Sequence, residues 1–219
     1  MSKPSLSSFA VSIGTEGSSS DTLHFNLMGP IEGAENYTDL LNTLRSADCN
    51  DEVHIHINCP GGNVATAVQI VNAIKNSKAT VIGIIEAECS SAATVIFLAC
   101  DGWVIEDNTL SLFHQYTAGF YGEGHKVKDQ VAATDAWVTE INRTYYTGFL
   151  TEEEIDLMVR GQDYWFSSDQ MRERIEKYME VKQAALEKSE KEKNRLILEN
   201  AKQIIKQMES VENDTGDNI

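Results

Sequence analysis

The sequence predicts an α/β fold in which helices cover a largely parallel sheet, and three observations carry that expectation. Strand-like and helix-like segments alternate from residue 23 to residue 99, the order that builds layered βαβ units with right-handed crossovers. The segment 80–86 (TVIGIIE) is a nearly continuous apolar run of the kind buried on both faces of a parallel sheet. A length of 219 residues, 42% hydrophobic and 24% charged, suits one globular domain plus an additional segment.

The elements follow in order. Residues 1–20 are rich in Ser and Gly and too poor in apolar groups to order themselves, so a flexible arm is expected. Residues 23–28 (LHFNLM) read as a strand, Gly29-Pro30 as a turn, and 37–46 as an amphipathic helix with Leu40, Leu41 and Leu44 on one side. Residues 53–57 alternate Val-His-Ile-His-Ile, which places Val53, Ile55 and Ile57 on one strand face and His54 and His56 on the other. The stretch Asn58-Cys59-Pro60-Gly61-Gly62-Asn63 then leads into a helix over 64–77 with a broad apolar face. The strand of 80–86 breaks at Glu88-Cys89-Ser90-Ser91, after which small and apolar residues continue at helical density to Ala99. Strands over 102–106 and 109–113 flank a turn at Asp107-Asn108, and the second runs directly into His114. Residues 127–148 form another helix. From 169 to 215 there is no Gly or Pro, which predicts a long charged helix whose middle, 187–195, is polar all round and supported by i,i+4 charge pairs.

Charge and cysteine usage exclude several function classes. A net charge of −16 argues against a nucleic-acid surface, which needs clustered Lys and Arg. The charge is uneven: residues 169–219 hold 12 acidic and 10 basic residues, against 22 and 8 in the rest of the chain. Cys49, Cys59, Cys89 and Cys100 include no CxxC pair, and the N-terminus carries no basic and apolar signal, which together predict a reducing, cytoplasmic setting. No apolar run reaches the ~18 residues of a membrane-spanning helix, so a soluble protein is expected. An H-x-H pair can ligate a metal, but a site needs further ligands and outer-shell support. Nothing near His54 and His56 in sequence identifies these, and both are expected to be ordinary strand residues, with no metal and no cofactor.

Two stretches point to chemistry. Pro60-Gly61-Gly62 between a strand and a helix leaves backbone N–H groups bare of side chains, a setting suited to an anion or a developing oxyanion. It is not a phosphate loop, since GxxxxGK[ST] is absent. Ser90-Ser91, between a buried strand and a helix, either caps the helix or presents a nucleophilic hydroxyl.

Three motifs in succession, INCPGGNV at 57–64, ECSSAAT at 88–94 and FHQYTAGFYGEG at 113–124, resemble landmarks of the Clp protease proteolytic subunit family (ClpP), which carries an INSPGG loop, a small-residue segment around its serine, and HQP followed by glycines. A fourth, Asp163-Tyr164-Trp165-Phe166-Ser167, is similar to the family's aspartate before an aromatic-apolar-Ser segment. The resemblance covers roughly residues 23–171. It implies Ser91 as nucleophile, His114 as general base, Asp163 as the carboxylate that orients the histidine, and the N–H groups of Gly62 and Ala92 as an oxyanion hole. It further places Gly61, Gln115, Gly119 and Gly122 along the substrate. Ser90 is adjacent, but Ser91 sets Gly62, Ala92 and Ala93 in matching positions without a gap. His125 lies in a Gly-rich stretch and is taken as surface, and Asp156 and Asp169 fit helices.

The implied fold is a ClpP/crotonase-like spiral of β-α-β units with a protruding handle helix at about 127–148 and a long C-terminal helical extension. The expected organisation is an arm over 1–20, a protease domain over 21–168 and a charged helical extension over 169–219. The implied function is a serine endopeptidase cleaving unfolded or threaded polypeptides inside a chamber of two stacked heptameric rings, with a ring ATPase unfoldase as an optional partner. The setting would be the bacterial cytoplasm, or an infected host cell for a virus-encoded member. Departures are Tyr116 in place of the usual Pro, Ala92 and Ala93 where many members have Met and Gly, and the extension itself. Alternatives are a catalytically weak assembly or scaffold subunit, a capsid-maturation protease independent of an ATPase, and thioester chemistry as in fold relatives that bind acyl-CoA.

Overall fold

The computed structural model describes the backbone of residues 9–10 and 21–216 and the side chains of 21–197, 199 and 200. The seven strands among the described residues form one sheet: β1 (Phe9–Ala10), β2 (Thr22–Met28), β3 (Glu52–Cys59), β4 (Thr80–Ser90), β5 (Gly102–Ile105), β6 (Leu110–Phe113) and β7 (Tyr164–Ser167). The order is β1-β2-β3-β4-β6-β7, with β5 also on β4. The strands from β2 to β6 run parallel, and the outermost pairs, β1 with β2 and β6 with β7, are antiparallel. Each parallel step is bridged by a helix: α1 (Thr38–Ser46) after β2, α2 (Val64–Asn76) after β3 and α3 (Ala92–Ala99) after β4. A 3₁₀ turn, Ala34–Tyr37, leads into α1.

Strand β4 is the longest because it serves two neighbours on one edge. Its residues 82–85 pair with β5, and its residues 88–90 pair with β6. The register with β3 shifts between Ile57 and Cys59, where Cys59 faces Cys89. The expected strand break at Glu88 therefore does not occur. The polar residues there are tolerated because β4 has left β5 and gained β6, and the strand ends only at Ser90.

Alternation decides which strand face is buried. Val53, Ile55 and Ile57 are fully buried, as are Val81 and Ile85 in the next strand, whereas His24, His54 and His56 are half-buried. The α3 segment is buried along its whole length, as its unbroken apolar sequence requires. Helix α4 (Gly124–Tyr146) starts a few residues earlier than expected, and only its second half is buried, through Val138, Ile141, Asn142 and Tyr146. Val131 in the first half and Trp137 just past the middle are about 40% exposed, so these apolar and aromatic side chains remain partly uncovered. Helix α5 (Glu152–Val159) opens with a complete capping box between Thr151 and Glu154.

The chain divides into two compact units, Met1–Ile175 and Glu176–Ile219. In the first, Arg174 pairs with Glu154 at 2.5 Å and Arg172 donates to the Ile105 carbonyl at 2.8 Å, fastening the start of helix α6 (Ser168–Gly216). The second is helical throughout its described residues, with Arg195 paired to Glu192 and Glu199 on the polar stretch. The expected arm over 1–20 lies outside the described residues except for β1, which is paired to β2 rather than free.

Candidate active site

Ser91 stands at the junction of β4 and α3 with φ 56° and ψ −129°, a conformation non-glycine residues rarely adopt. Such a residue costs about 1–3 kcal/mol and persists only where its surroundings over-determine it. Here they do. The Ser91 N–H donates to the Leu112 carbonyl of β6 at 2.8 Å. The Ser91 carbonyl accepts from both the Thr94 N–H (2.9 Å) and the Thr94 hydroxyl (2.7 Å). Thr94 Oγ1 lies 2.8 Å from the hydroxyl of Tyr146, and both residues are buried, so α4 braces the turn. Burial raises the Tyr146 pKa well above the ordinary phenol value, which keeps the hydroxyl protonated in this chain of hydrogen bonds.

Ser91 occupies the N-cap position of α3, yet its side chain makes no capping hydrogen bond. Of the two readings open to a serine here, the hydroxyl is not serving as a cap. Ser90 is accounted for otherwise: it is buried and donates to the Glu88 carboxylate at 2.8 Å.

The Pro-Gly-Gly loop abuts this turn. Gly61 has φ +94°, and a Cβ there would lie 2.5 Å from Ser91 Cβ and 3.1 Å from the Ala92 nitrogen. Gly62 has φ +141°, and its Cβ would strike the Ile31 carbonyl oxygen at 2.4 Å. Both glycines are required by positive φ and by backbone contact. The loop is held from both sides: Ile31 N–H donates to the Gly61 carbonyl (2.7 Å), and Asn63 N–H to the Ile31 carbonyl (2.8 Å). Asn63 caps α2 through its side chain, accepting from the Thr66 N–H at 3.0 Å. Beneath the loop the buried Cys59 sulfur accepts the Gly61 N–H at 3.3 Å, and burial pushes its thiol up to about 11, so it stays protonated. Among the described hydrogen bonds the Gly62 N–H has no partner. The Ala92 N–H belongs to the first turn of α3, where no intrahelical acceptor exists.

His114 and Ser91 line one cavity of about 30 Å³, otherwise walled chiefly by apolar residues of α2, α3 and α4 such as Val68, Val95 and Ile141. The register of β6 with β7 ends at the pair Phe113–Tyr164, so His114 is the residue that follows β6 and Asp163 the residue that precedes β7. Ser91 and His114 thus share a cavity, while Asp163 stands at the start of β7, the strand paired with β6. Among the described residues the imidazole of His114 makes no hydrogen bond, and the Asp163 side chain is exposed with none.

The Clp protease family model matches residues 25–174, well over half of the chain. The chain belongs to the Clp protease family. That family comprises serine-type peptidases that generally form rings and act on polypeptides. A comparison with curated proteins finds no match. The matched span contains Ser91, His114 and Asp163, and it ends in the first turns of α6, just short of the second compact unit.

The remaining expected positions divide. Gln115 is half-buried, and its side chain is engaged by protein: Nε2 donates to the Val159 carbonyl (3.4 Å), while Oε1 accepts from Asn142 Nδ2 and from the Tyr116 N–H (both 3.3 Å). Gly119 and Gly122 are exposed, in an irregular segment over 114–123 whose first residues are half-buried. Gly61 is a contact of Ser91, as above. Thr94, Asn142 and Tyr146 were not foreseen as parts of the site. Tyr146 and Asn142 sit four residues apart on one face of α4 together with Val138, a spacing visible in the sequence, but nothing there says which partner that face meets. No helix among the described residues is long and apolar enough to cross a membrane.

Proposed function

We propose that this Clp protease is a serine endopeptidase in which Ser91 is the nucleophile, His114 the general base and Asp163 the carboxylate that orients it. The observation carrying this reading is Ser91 itself: a strained strand-to-helix turn, braced by Leu112, Thr94 and the Gly61 loop, whose hydroxyl does not cap its helix and shares a cavity with His114. A sharp turn of that kind exposes a hydroxyl beside the first N–H of the following helix.

In the proposed mechanism Ser91 Oγ attacks a peptide carbonyl carbon while its proton passes to His114. The N–H groups of Gly62 and Ala92 receive the oxyanion, each donor being worth about 10²–10³ in rate. His114 then protonates the leaving amine. Water, deprotonated by the same histidine, hydrolyses the acyl-enzyme. Asp163 holds the tautomer and stabilises the imidazolium, with its carboxylate turned toward His114 in the working state. The apolar cavity suits a small apolar side chain beside the cut bond, and the exposed segment with Gly119 and Gly122 suits main-chain pairing with an extended peptide. Two stacked heptameric rings would enclose these sites and restrict them to unfolded or threaded chains, with a ring ATPase as an optional feeder.

The deciding experiment treats the native assembly, its mass measured in parallel, with a fluorophosphonate and maps the adduct. Modification at Ser91 together with hydrolysis of an unfolded polypeptide is the expected result. An assembled protein that takes no label at Ser91 would overturn the assignment in favour of a scaffold subunit. Thioester turnover surviving in Ser91→Ala would favour acyl-CoA chemistry.

A further inference from the structure

Away from Ser91, three histidines gather on the sheet face that does not carry Val53, Ile55 and Ile57. Parallel pairing of β2 with β3 sets His24 directly beside His54 and one pair away from His56. The expectation of ordinary strand residues at 54 and 56 rested on the lack of a third ligand near them in sequence. The third comes from 30 residues upstream, through the sheet. One nitrogen from each of His24, His54 and His56 can be chosen so that all lie within 4.8 Å of one another. The rings of His24 and His54 are 4.8 Å apart at their centroids, and those of His24 and His56 are 5.2 Å apart.

We propose that His24, His54 and His56 form a binding site for a divalent first-row metal ion of the Zn²⁺ class, with water as the fourth ligand. Outer hydrogen bonds support the choice of ligand atoms. Nδ1 of His56 meets the Glu86 carboxylate at 2.8 Å, which puts the proton there and leaves Nε2 bare, 2.9 Å from His24 Nδ1. Nε2 of His54 bonds to the Glu52 carboxylate, leaving Nδ1 bare. Carboxylates on the far nitrogens of metal-binding histidines fix the tautomer and raise ligand basicity. Two of the three imidazoles already have this support.

Ligand chemistry selects the ion. Three neutral imidazoles, two of them backed by carboxylates, suit Zn²⁺ and its neighbours, whereas Ca²⁺ and Mg²⁺ call for oxygen ligands. Zinc–nitrogen bonds of about 2.0–2.1 Å in a tetrahedron require the rings to draw together slightly, by side-chain rotation on rigid strands. The metal would replace the His24–His56 hydrogen bond. The excess of acidic residues before residue 169 favours a cation in the surrounding field.

The test uses the full chain without a histidine tag, stripped by a chelator and titrated with Zn²⁺ by calorimetry, with Co²⁺ as a spectroscopic substitute. One Zn²⁺ per chain is expected, with Co²⁺ giving the intense visible bands of tetrahedral nitrogen ligation. His24→Gln/His56→Gln should abolish binding, and Glu86→Gln should weaken it roughly 10-fold or more, with circular dichroism reporting that each variant is folded. Unchanged affinity in the double variant, or sulfur-to-cobalt charge-transfer bands, would place the ion on cysteines or His125 and overturn the proposal. So would the absence of stoichiometric binding by the parent chain. Should the double variant not fold, unchanged affinity in Glu86→Gln overturns it equally.

Discussion

The two halves of the proposed site are built differently. On the serine side, Ser91 is fixed by a strand partner, a helix start, a glycine loop and a buried Thr94–Tyr146 pair, all within the sheet and its first helical layer. On the histidine side, His114 is the first residue past β6, Asp163 is exposed ahead of β7, and the main fastening of the following segment is Gln115, through hydrogen bonds of 3.3–3.4 Å. One half is part of the core. The other hangs from two strand ends. The contrast teaches that substitutions on the serine side should alter stability and activity together, whereas those on the histidine side should alter activity with a smaller change in stability.

The largest effect tests the nucleophile. Ser91→Ala should lower peptide hydrolysis by roughly a millionfold, and Ser91→Gly should do the same while raising stability by about 1 kcal/mol through release of the positive-φ strain. A urea titration in which Ser91→Gly is less stable than the parent would remove strain from the account. Next, Asp163→Asn should lower kcat by about 10⁴, since the amide favours the wrong histidine tautomer. Its unfolding free energy should stay within about 0.5 kcal/mol of the parent, as for other exposed sites. Near-parental kcat would sever Asp163 from His114.

Gly61→Ala should cost about 3 kcal/mol, because its Cβ meets Ser91 and its φ is positive, and activity should fall with stability. A stable but inactive variant would break the coupling claimed for the serine side. Thr94→Val keeps the shape but strands the buried Tyr146 hydroxyl, at about 1–3 kcal/mol. Thermal unfolding of Thr94→Val beside Thr94→Ser, which retains the hydroxyl, checks this. The smallest effect belongs to Gln115→Ala: a severalfold rise in KM or loss of kcat, and about 0.5–1.5 kcal/mol at most, given the length of its hydrogen bonds.

Much of this was legible in the chain. Alternation in residues 53–57 assigns the faces of β3, and the apolar run after Ser91 announces a helix buried all round, because side-chain periodicity is a local property of backbone geometry. The motif around Gly61 and Gly62 was readable for a related reason: only glycine satisfies positive φ beside another backbone. Elsewhere local information misled. Glu88 looked like a strand end, yet pairing with β6 carries β4 on to Ser90. The beginning of the arm looked unstructured, yet Phe9–Ala10 pairs with β2.

By itself, then, the sequence determined the α/β class, the order of the elements and the residue types available for acyl transfer, since these follow from periodicity, turn chemistry and side-chain identity along a few consecutive residues. Only the tertiary structure decided that the Ser91 hydroxyl is free of capping, that Thr94 and Tyr146 brace its turn, that Ser91 and His114 share a cavity, and that His24 joins His54 and His56. Each of these depends on which strands and helices become neighbours. That choice minimises exposed apolar surface over the whole chain, so no short stretch of sequence contains it.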